Sequence, residues 1–117
     1  MKVLVTGGAG FVGCHVTDYW VKEGAEVTIL DNLSRRGAER NLAWLQNQHG
    51  AKLHFARVDV RDADAVMCTV KEVRPNVIYH FAAQVAVTTS VTDPRSDFEV
   101  NALGTFNVLE AARRLAT

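Results

Sequence analysis

Apolar residues occur along the chain in two alternating patterns. Short, nearly continuous apolar runs at residues 2–5, 26–30, 52–58 and 77–81 predict buried strands. Segments with apolar residues three and four positions apart predict helices at residues 11–23 and 39–48, between Asp62 and Pro75, and at residues 94–115. This alternation predicts a Rossmann-type α/β fold, βαβαβαβα, with a doubly wound parallel sheet. We expect the strand order 3-2-1-4 in one domain over residues 1–117.

Each predicted helix has an apolar stripe that we expect to pack on the sheet. The stripes are Val12, Val16, Tyr19 and Trp20; Leu42 and Leu45 with Trp44 beside them; Val66, Val70 and Val73; and Phe98, Ala102, Thr105, Leu109 and Ala112. The last helix is also apolar at Val100, Leu103, Phe106 and Val108, which predicts burial on several sides or an interface. Residues 88–90 are expected in a polar loop, and the less apolar third strand is expected near an edge.

Composition and charge argue against several classes of protein. Lys and Arg together number 13, as do Asp and Glu, so no basic excess indicates a nucleic acid or an anionic membrane partner. No apolar run approaches the ~18 residues of a transmembrane helix, and the first residues do not resemble a secretory leader. Cys14 and Cys68 lack metal-site spacing, so we expect buried, reduced thiols in a cytoplasmic protein and no metal site.

The strongest chemical signal is the segment TGGAGFVG, residues 6–13, between the first strand and the first helix. Its glycines fit both G-x-G-x-x-G and, through Gly7, Gly10 and Gly13, G-x-x-G-x-x-G. A turn this sharp, with its backbone close to a pyrophosphate, has no room for a Cβ. The helix that follows directs free N–H groups and its dipole at the phosphate charge. The segment therefore predicts a dinucleotide site, with an ordinary tight turn as the alternative.

Asp31 ends the second predicted strand, where a carboxylate can accept hydrogen bonds from the adenosine ribose. A carboxylate there repels a 2′-phosphate, which favours NAD over NADP. The alternative is an aspartate that caps its own loop. Arg35 and Arg36 complicate the prediction, because a nearby arginine can hold a 2′-phosphate, although such arginines taken alone more often belong to a solvated loop.

Further candidates follow the third and fourth strands. Asp59 and the Val60 backbone could meet the adenine edge, or Asp59 could simply precede a helix. His80 is expected to be a packed residue rather than a base. Small residues at Ala82 and Ala83, with Gln84, lie where ligands bind in open α/β sheets.

Five motifs together resemble the extended short-chain dehydrogenases/reductases, specifically the NAD-dependent nucleotide-sugar epimerases and dehydratases. They are TGGAGFVG, DNLSR, DVRD, HFAAQ and NALGTFN, and they extend over nearly the whole chain. Within that family, DNLSRRGAERNLAWL and residues 84–113 most resemble the 2-epimerases of CDP-sugars.

The resemblance implies NAD as cofactor and a role for each matching residue. Gly7, Gly10, Phe11, Val12 and Gly13 would hold the pyrophosphate; Asp31, Asn32, Ser34 and Arg35 the adenosine ribose side; Asp59 and Val60 the adenine; and Phe81, Ala82, Ala83 and Gln84 the nicotinamide side. Asn101 would support the active site, and Thr88 and Thr89 would lie where substrate and cofactor meet. The family's chemistry is transient oxidation of a sugar carbon followed by return of the hydride, on a CDP- or UDP-linked sugar.

The catalytic Tyr-x-x-x-Lys pair of that family is absent from this sequence. The only tyrosines, Tyr19 and Tyr79, are followed four positions later by Glu23 and Ala83. We therefore expect an N-terminal fragment of a longer enzyme, without catalytic residues of its own and inactive alone. A non-catalytic dinucleotide-binding or sensing module remains the alternative.

The same resemblance implies a homodimer through the helix at residues 94–115, since the helix at this position commonly packs in a two-fold bundle. We also expect the fourth strand to have a free edge that invites pairing.

Overall fold

The computed structural model describes residues 1–116, apart from the side chains of Val87 and Thr89. The strands are β1 (Lys2–Thr6), β2 (Glu26–Asp31), β3 (Leu53–Arg57) and β4 (Val77–His80). They pair in parallel in the order β3-β2-β1-β4, with Val5 opposite Ile29 on one side and Tyr79 on the other. The predicted fold class and strand order are therefore confirmed. β3 lies at an edge of the sheet, as its lower apolar content predicted.

The helices that connect the strands are α1 (Phe11–Lys22), α2 (Ala38–His49) and α3 (Ala63–Val73), and a 3₁₀ turn (Gly50–Lys52) precedes β3. After β4 come α4 (Val87–Thr92), α5 (Pro94–Phe98), a π-helical segment (Glu99–Leu103) and α6 (Gly104–Ala116). Asp62 caps α3 by accepting the Ala65 N–H, and Asp93 caps α5 by accepting the Ser96 N–H. Within residues 1–116, none of the helices is long and apolar enough to cross a membrane.

Residues 88–90 form part of α4 rather than the predicted polar loop. The Ser90 hydroxyl donates to Oδ1 of Asp97 on α5 at 2.8 Å, and the Thr92 hydroxyl donates to the Thr88 carbonyl one turn earlier at 2.9 Å. Because these hydroxyls find acceptors on the neighbouring helix and within α4 itself, the helix accommodates a polar run that otherwise favours a loop.

Alternate residues of the strands point to opposite faces of the sheet and build two hydrophobic cores. Val3, Val5, Val27 and Ile29 pack under α1 and α2, and all four are fully buried. Leu4 and Leu30 pack on the opposite face against α3 and α6. Helices therefore cover both faces of the sheet, which is why its central strands are nearly continuously apolar.

The predicted inner face of α1 is right for Trp20, which packs against the core, and wrong for Val12 and Tyr19. Val12 and Tyr19 are 54% and 57% exposed, whereas Gly13, Cys14, Thr17 and Val21 are buried. The helix lies so close to the β1 turn that small residues have to face it.

The predicted inner face of the last helix is also wrong. Phe98 and Leu109 of the predicted stripe are 63% and 64% exposed, and α6 buries Gly104, Asn107, Val108 and Ala111 instead. A Cβ on Gly104 would lie 2.6 Å from Cγ2 of Val60, so close packing again selects a small residue. The π segment also departs from the 3.6-residue period on which the prediction rested.

The other helix faces match the prediction more closely. Leu42, Leu45, Val66 and Val70 are buried, but Trp44 is 43% exposed. Both cysteines are free thiols, and the expectation that both are buried holds only for Cys14, since Cys68 lies on the exposed side of α3.

Candidate functional site

A cleft of about 560 Å³ lies at the carboxyl ends of β1, β2 and β4. This size falls within the range typical of small-molecule pockets. All fifteen residues predicted to contact a cofactor line it: Gly7, Gly10, Phe11, Val12, Gly13, Asp31, Asn32, Ser34, Arg35, Asp59, Val60, Phe81, Ala82, Ala83 and Gln84. The fold thus brings four segments that are distant in sequence to one concave surface.

The glycines of the first turn are required by the protein's own packing. Gly7 has φ +68°, and a Cβ there would lie 2.8 Å from the Ala82 nitrogen. A Cβ on Gly13 would lie 2.1 Å from the Gly7 carbonyl oxygen. Gly10 is less restricted, because its Cβ would meet only the Gly7 oxygen, at 3.2 Å, among the described residues. The turn is therefore compact before any ligand is considered.

Ala9 fixes the turn through both of its backbone groups. Its N–H donates to Oδ2 of Asp31 at 3.0 Å, and its carbonyl accepts from the Asn41 side-chain amide at 2.8 Å. Asn41 was not predicted as a site residue. Its position one residue before buried Leu42, on the inner side of α2, is the only sequence signal for it.

Free backbone donors face the cleft at the start of α1. Cys14 donates to the Gly10 carbonyl at 2.9 Å, which leaves the N–H groups of Phe11, Val12 and Gly13 as the donors a helix cannot satisfy internally. In the described structure no side chain caps Gly10, and the first turn contains no acidic residue. These donors and the helix dipole fit an anionic group such as a pyrophosphate.

Asp31 caps its own loop, which is one of its two predicted roles, and keeps acceptor positions open for the other. Its Oδ1 accepts the Leu33 N–H at 2.8 Å, which caps its own loop, while its Oδ2 accepts from Ala9. An ionised carboxylate has about four acceptor positions, so two remain for another donor. The Asp31 carboxylate lines the cleft and fits a pair of ribose hydroxyls, whereas Arg36 is not among the lining residues.

Asp59 is held by Arg61, a residue that was not predicted to belong to the site. The Arg61 guanidinium donates to both carboxylate oxygens, at 3.0 Å from Nε and 2.7 Å from a terminal nitrogen, and Asn32 donates from 3.3 Å. The Arg61 hydrogen bond lowers the pKa of Asp59 to about 2. Asp59 therefore stays an ionised acceptor at neutral pH.

The far side of the cleft is a loop that follows β4. The Gln84 N–H donates to Oδ1 of Asn101 at 2.7 Å, and the Asn101 amide donates back to the Gln84 carbonyl at 2.8 Å. Asn101 does not itself line the cleft, so its contact with the site is indirect. Thr88 is exposed on α4 and is not among the lining residues, and the Thr89 side chain lies outside the described part of the structure.

His80 is the packed residue that was expected. Its ring is hydrogen-bonded to Thr6 and Thr105, and burial lowers the pKa of its imidazole. The lining residues that sequence reasoning missed are Leu30, Val58, Arg61, Val85, Ser96 and Val100. Only Arg61 carried a usable signal, since it lies two residues after Asp59 in the DVRD motif.

A parallel sheet of this order, with a glycine-rich turn and an acidic residue at the end of the next strand, defines a Rossmann-type nucleotide-binding domain. Sequence comparison is more specific: the chain belongs to the family described as GDP-mannose 4,6 dehydratase, whose model matches residues 4–117.

Individual relatives are epimerases that act on nucleotide sugars. The chain is 40% identical over 114 residues to CDP-paratose 2-epimerase of Salmonella typhi, covering 97% of the chain and 33% of the relative. It is 43% identical over 113 residues to UDP-glucose 4-epimerase of Mycolicibacterium smegmatis, covering 97% and 35%. The structure of Thermus thermophilus UDP-glucose 4-epimerase in complex with NAD matches with a TM-score of 0.86 and 45% identity, over 99% of this chain and 35% of that one. The chain therefore spans about a third of the length of these relatives.

Proposed function

We propose that this chain is the NAD-binding part of a nucleotide-sugar epimerase, and that residues 1–117 form its dinucleotide-binding domain. One observation carries the proposal: the uncapped start of α1, the Asp31 carboxylate and the loop after β4 converge on one cleft. The Thermus relative, which has the same fold, was crystallised with NAD.

Each part of the cleft has a role suited to its chemistry. The amides of Phe11, Val12 and Gly13 would bind the pyrophosphate, with Gly7 and Gly10 beside them. The Asp31 carboxylate would accept the ribose hydroxyls, with Asn32, Ser34 and Arg35 nearby. When bound, NAD would supply reversible acceptance of a hydride from a sugar carbon.

The remaining lining residues would place the two ends of the cofactor. Ionised Asp59 and the Val60 backbone would recognise the adenine, and Phe81, Ala82, Ala83 and Gln84 would exclude water from the nicotinamide side. Asn101 would act indirectly by holding Gln84, and Thr88 and Thr89 are proposed to lie near the substrate.

We infer that the intact protein is of the CDP-paratose 2-epimerase type. This rests on the match to the Salmonella enzyme and on the two segments that resemble CDP-sugar 2-epimerases. The second candidate is a UDP-glucose 4-epimerase, favoured by the match to the Mycolicibacterium enzyme; a dTDP-glucose 4,6-dehydratase-like enzyme is a further relative of this kind. Turnover of CDP-linked against UDP- and dTDP-linked sugars by the intact protein distinguishes them.

The proposed cofactor preference is tested by calorimetric titration with NAD and NADP. We expect tighter binding of NAD, and Asp31→Ala should weaken it about 10- to 100-fold, since hydrogen bonds to a charged group contribute about 1.5–3 kcal/mol. Asp31→Asn is the matched control, because it keeps an acceptor for Leu33 but loses the charge that repels a 2′-phosphate. Tighter binding of NADP by the unaltered protein would contradict the proposal and would point to Arg35 or Arg36.

The 117-residue chain alone is proposed to be inactive, because it contains no Tyr-x-x-x-Lys pair. Positioned acid–base groups typically contribute about 10²–10⁴-fold. Turnover of CDP- or UDP-sugars by the purified chain would overturn this. Whether the coding sequence beyond Thr117 contains such a pair separates an epimerase from a non-catalytic dinucleotide-binding module.

We further propose that the intact protein is cytoplasmic and a homodimer through the helix at residues 94–115, and that its substrate is a CDP- or UDP-linked sugar.

A further inference from the structure

A chain of hydrogen bonds crosses the molecule behind the cleft, from β1 to the π segment. Nδ1 of His80 lies 2.6 Å from the Thr6 hydroxyl, and Nε2 lies 3.0 Å from the Thr105 hydroxyl. The Thr105 oxygen is also 2.6 Å from the backbone carbonyl of Asn101. Thr6 is fully buried, and His80 and Thr105 are partly buried.

The direction of every proton in this chain follows from its last member. A carbonyl oxygen only accepts, so the single hydroxyl proton of Thr105 is directed at Asn101. The contact between Thr105 and His80 then requires a proton on Nε2 of His80. A neutral imidazole has one N–H, so Nδ1 is the acceptor and Thr6 donates to it.

Two backbone amides share the Thr6 hydroxyl oxygen. The Ala82 N–H donates to the Thr6 hydroxyl oxygen at 3.2 Å, and the Phe81 N–H is shared between that oxygen, at 3.1 Å, and the Thr6 backbone carbonyl, at 3.0 Å. With its proton directed at His80, this oxygen has both lone pairs available for them. A protonated Nδ1 would compete with these amides for the same oxygen, and burial independently disfavours the charged ring.

The Phe81–Ala82 peptide is also the group against which Gly7 packs. A Cβ on Gly7 would lie 2.8 Å from both the Phe81 carbonyl carbon and the Ala82 nitrogen. Thr6 therefore sets the separation between the glycine turn and the loop after β4. The other end of that loop, Gln84, is held by the Asn101 side chain, so both ends connect to the π segment.

We propose that His80 is a positioning residue for the nucleotide cleft: held as the neutral Nε2–H tautomer by Thr105, it takes the Thr6 proton and so fixes residues 81 and 82 against the glycine turn. The consequence for NAD rests on the proposed function; the tautomer and the backbone geometry do not.

The tautomer is tested by two-bond ¹H–¹⁵N correlation spectra of the imidazole at neutral pH. We expect the pattern of a neutral ring protonated at Nε2. Thr105→Ser should retain that pattern, and Thr105→Val should convert the ring wholly or partly to the Nδ1–H form. An Nδ1–H or doubly protonated ring in the unaltered protein, or an unchanged tautomer in Thr105→Val, would overturn the proposal.

The effect on the cleft is tested with two replacements of His80. The side-chain amide introduced by His80→Asn would place an acceptor near the position of Nδ1. This variant should therefore keep slow amide exchange at Ala82 and bind NAD within about threefold of the unaltered protein. His80→Phe has no acceptor, so exchange at Ala82 should quicken, whereas Phe81 keeps the Thr6 carbonyl as an acceptor and should change less. NAD should bind about tenfold more weakly, as expected for one lost hydrogen bond. Circular dichroism confirms that each variant is folded.

Equal exchange and equal affinity in the two variants would overturn the positioning role. If the unaltered protein does not bind NAD at all, the proposed function fails. The exchange rates and the tautomer would still decide the role of His80.

Discussion

The two sides of the cleft are held together by different means. On the glycine side, formed by β1, α1 and β2, the backbone itself fills the space, and Val3, Leu4 and Val5 are fully buried. On the helical side, formed by β4 and residues 81–116, every residue of β4 is only partly buried, and side-chain hydrogen bonds fix the loop. The glycine side tolerates almost no added atoms, whereas the helical side depends on a few specific polar contacts and exposes apolar surface.

The largest effect should come from adding one methyl group to the glycine side. Gly13→Ala would place a Cβ 2.1 Å from the Gly7 oxygen, where neither backbone can yield without opening the turn. We expect a loss of about 3 kcal/mol or more in the free energy of unfolding, at the upper end of overpacking costs. Urea denaturation monitored by circular dichroism measures it.

Gly10→Ala is the matched control, because the new Cβ would approach only the Gly7 oxygen, at 3.2 Å, within the described residues. It should cost well under half as much. If Gly13→Ala and Gly10→Ala had the same free energy of unfolding, the claim that the glycine side tolerates almost no added atoms would fail.

A smaller effect is expected on the helical side, where apolar side chains of α6 are exposed. Phe106 and Leu109 are 59% and 64% exposed, and Leu103 of the π segment is 36% exposed. Burying one such side chain contributes about 1.5–3 kcal/mol, so the chain should self-associate through this surface. Phe106→Glu and Leu103→Glu should each raise the dissociation constant about tenfold or more, measured by sedimentation equilibrium.

The alternative route to association is the outer edge of β4, which has no neighbouring strand among the described residues. Association that survives both glutamate variants would indicate that edge. A clean monomer of the unaltered chain at high micromolar concentration would refute the prediction.

The smallest effect concerns an ion pair at the back of the glycine side. Asp18 on α1 lies 2.9 Å from Nζ of Lys22 and 2.7 Å from Nε2 of His49 on α2. The Lys22 hydrogen bond is the main cause that lowers the pKa of Asp18, with a further contribution from His49. A lowered folded-state pKa stabilises the protein above the ordinary aspartate value, and this contribution is lost as the pH falls through the folded-state pKa.

Asp18→Asn should therefore cost about 1 kcal/mol at neutral pH, since Lys22 is largely exposed and screened. The difference from the unaltered protein should shrink once the pH falls below about 4. Denaturation midpoints at pH 7 and at pH 3 provide the test, and a difference that grows at pH 3 would reverse the sign of the argument.

The glycine side was the more predictable of the two from sequence. A glycine-rich turn between a strand and a helix has few possible conformations, so the place of Gly7, Gly13 and Asp31 at one cleft followed from local chemistry. The four strands and their order followed from apolar runs and crossover rules.

Helix faces were less predictable, for a reason that α1 illustrates. Helical spacing placed its largest apolar residues on one face, but contact with the β1 turn selected small residues, so Gly13 and Thr17 face inward and Tyr19 outward. The spacing of apolar residues shows which large side chains share one face of a helix, but it does not show how closely that helix approaches the neighbouring element. Asn41 was missed because Ala9, whose carbonyl accepts from it, becomes its neighbour only in the folded chain. Arg61 was missed because its hydrogen bonds to the nearby Asp59 carboxylate depend on the geometry of the folded chain.

The π segment restricts the chain in its length as well as in its composition. An α-helix advances about 100° per residue, so loss of a single residue from Glu99–Leu103 would rotate all of α6 by roughly that angle about its axis. Asn107, whose amide holds the Val60 carbonyl at 2.8 Å, would leave that contact, and Thr105 would turn away from His80. Deletions and insertions should thus be excluded from these five residues even where substitutions are accepted.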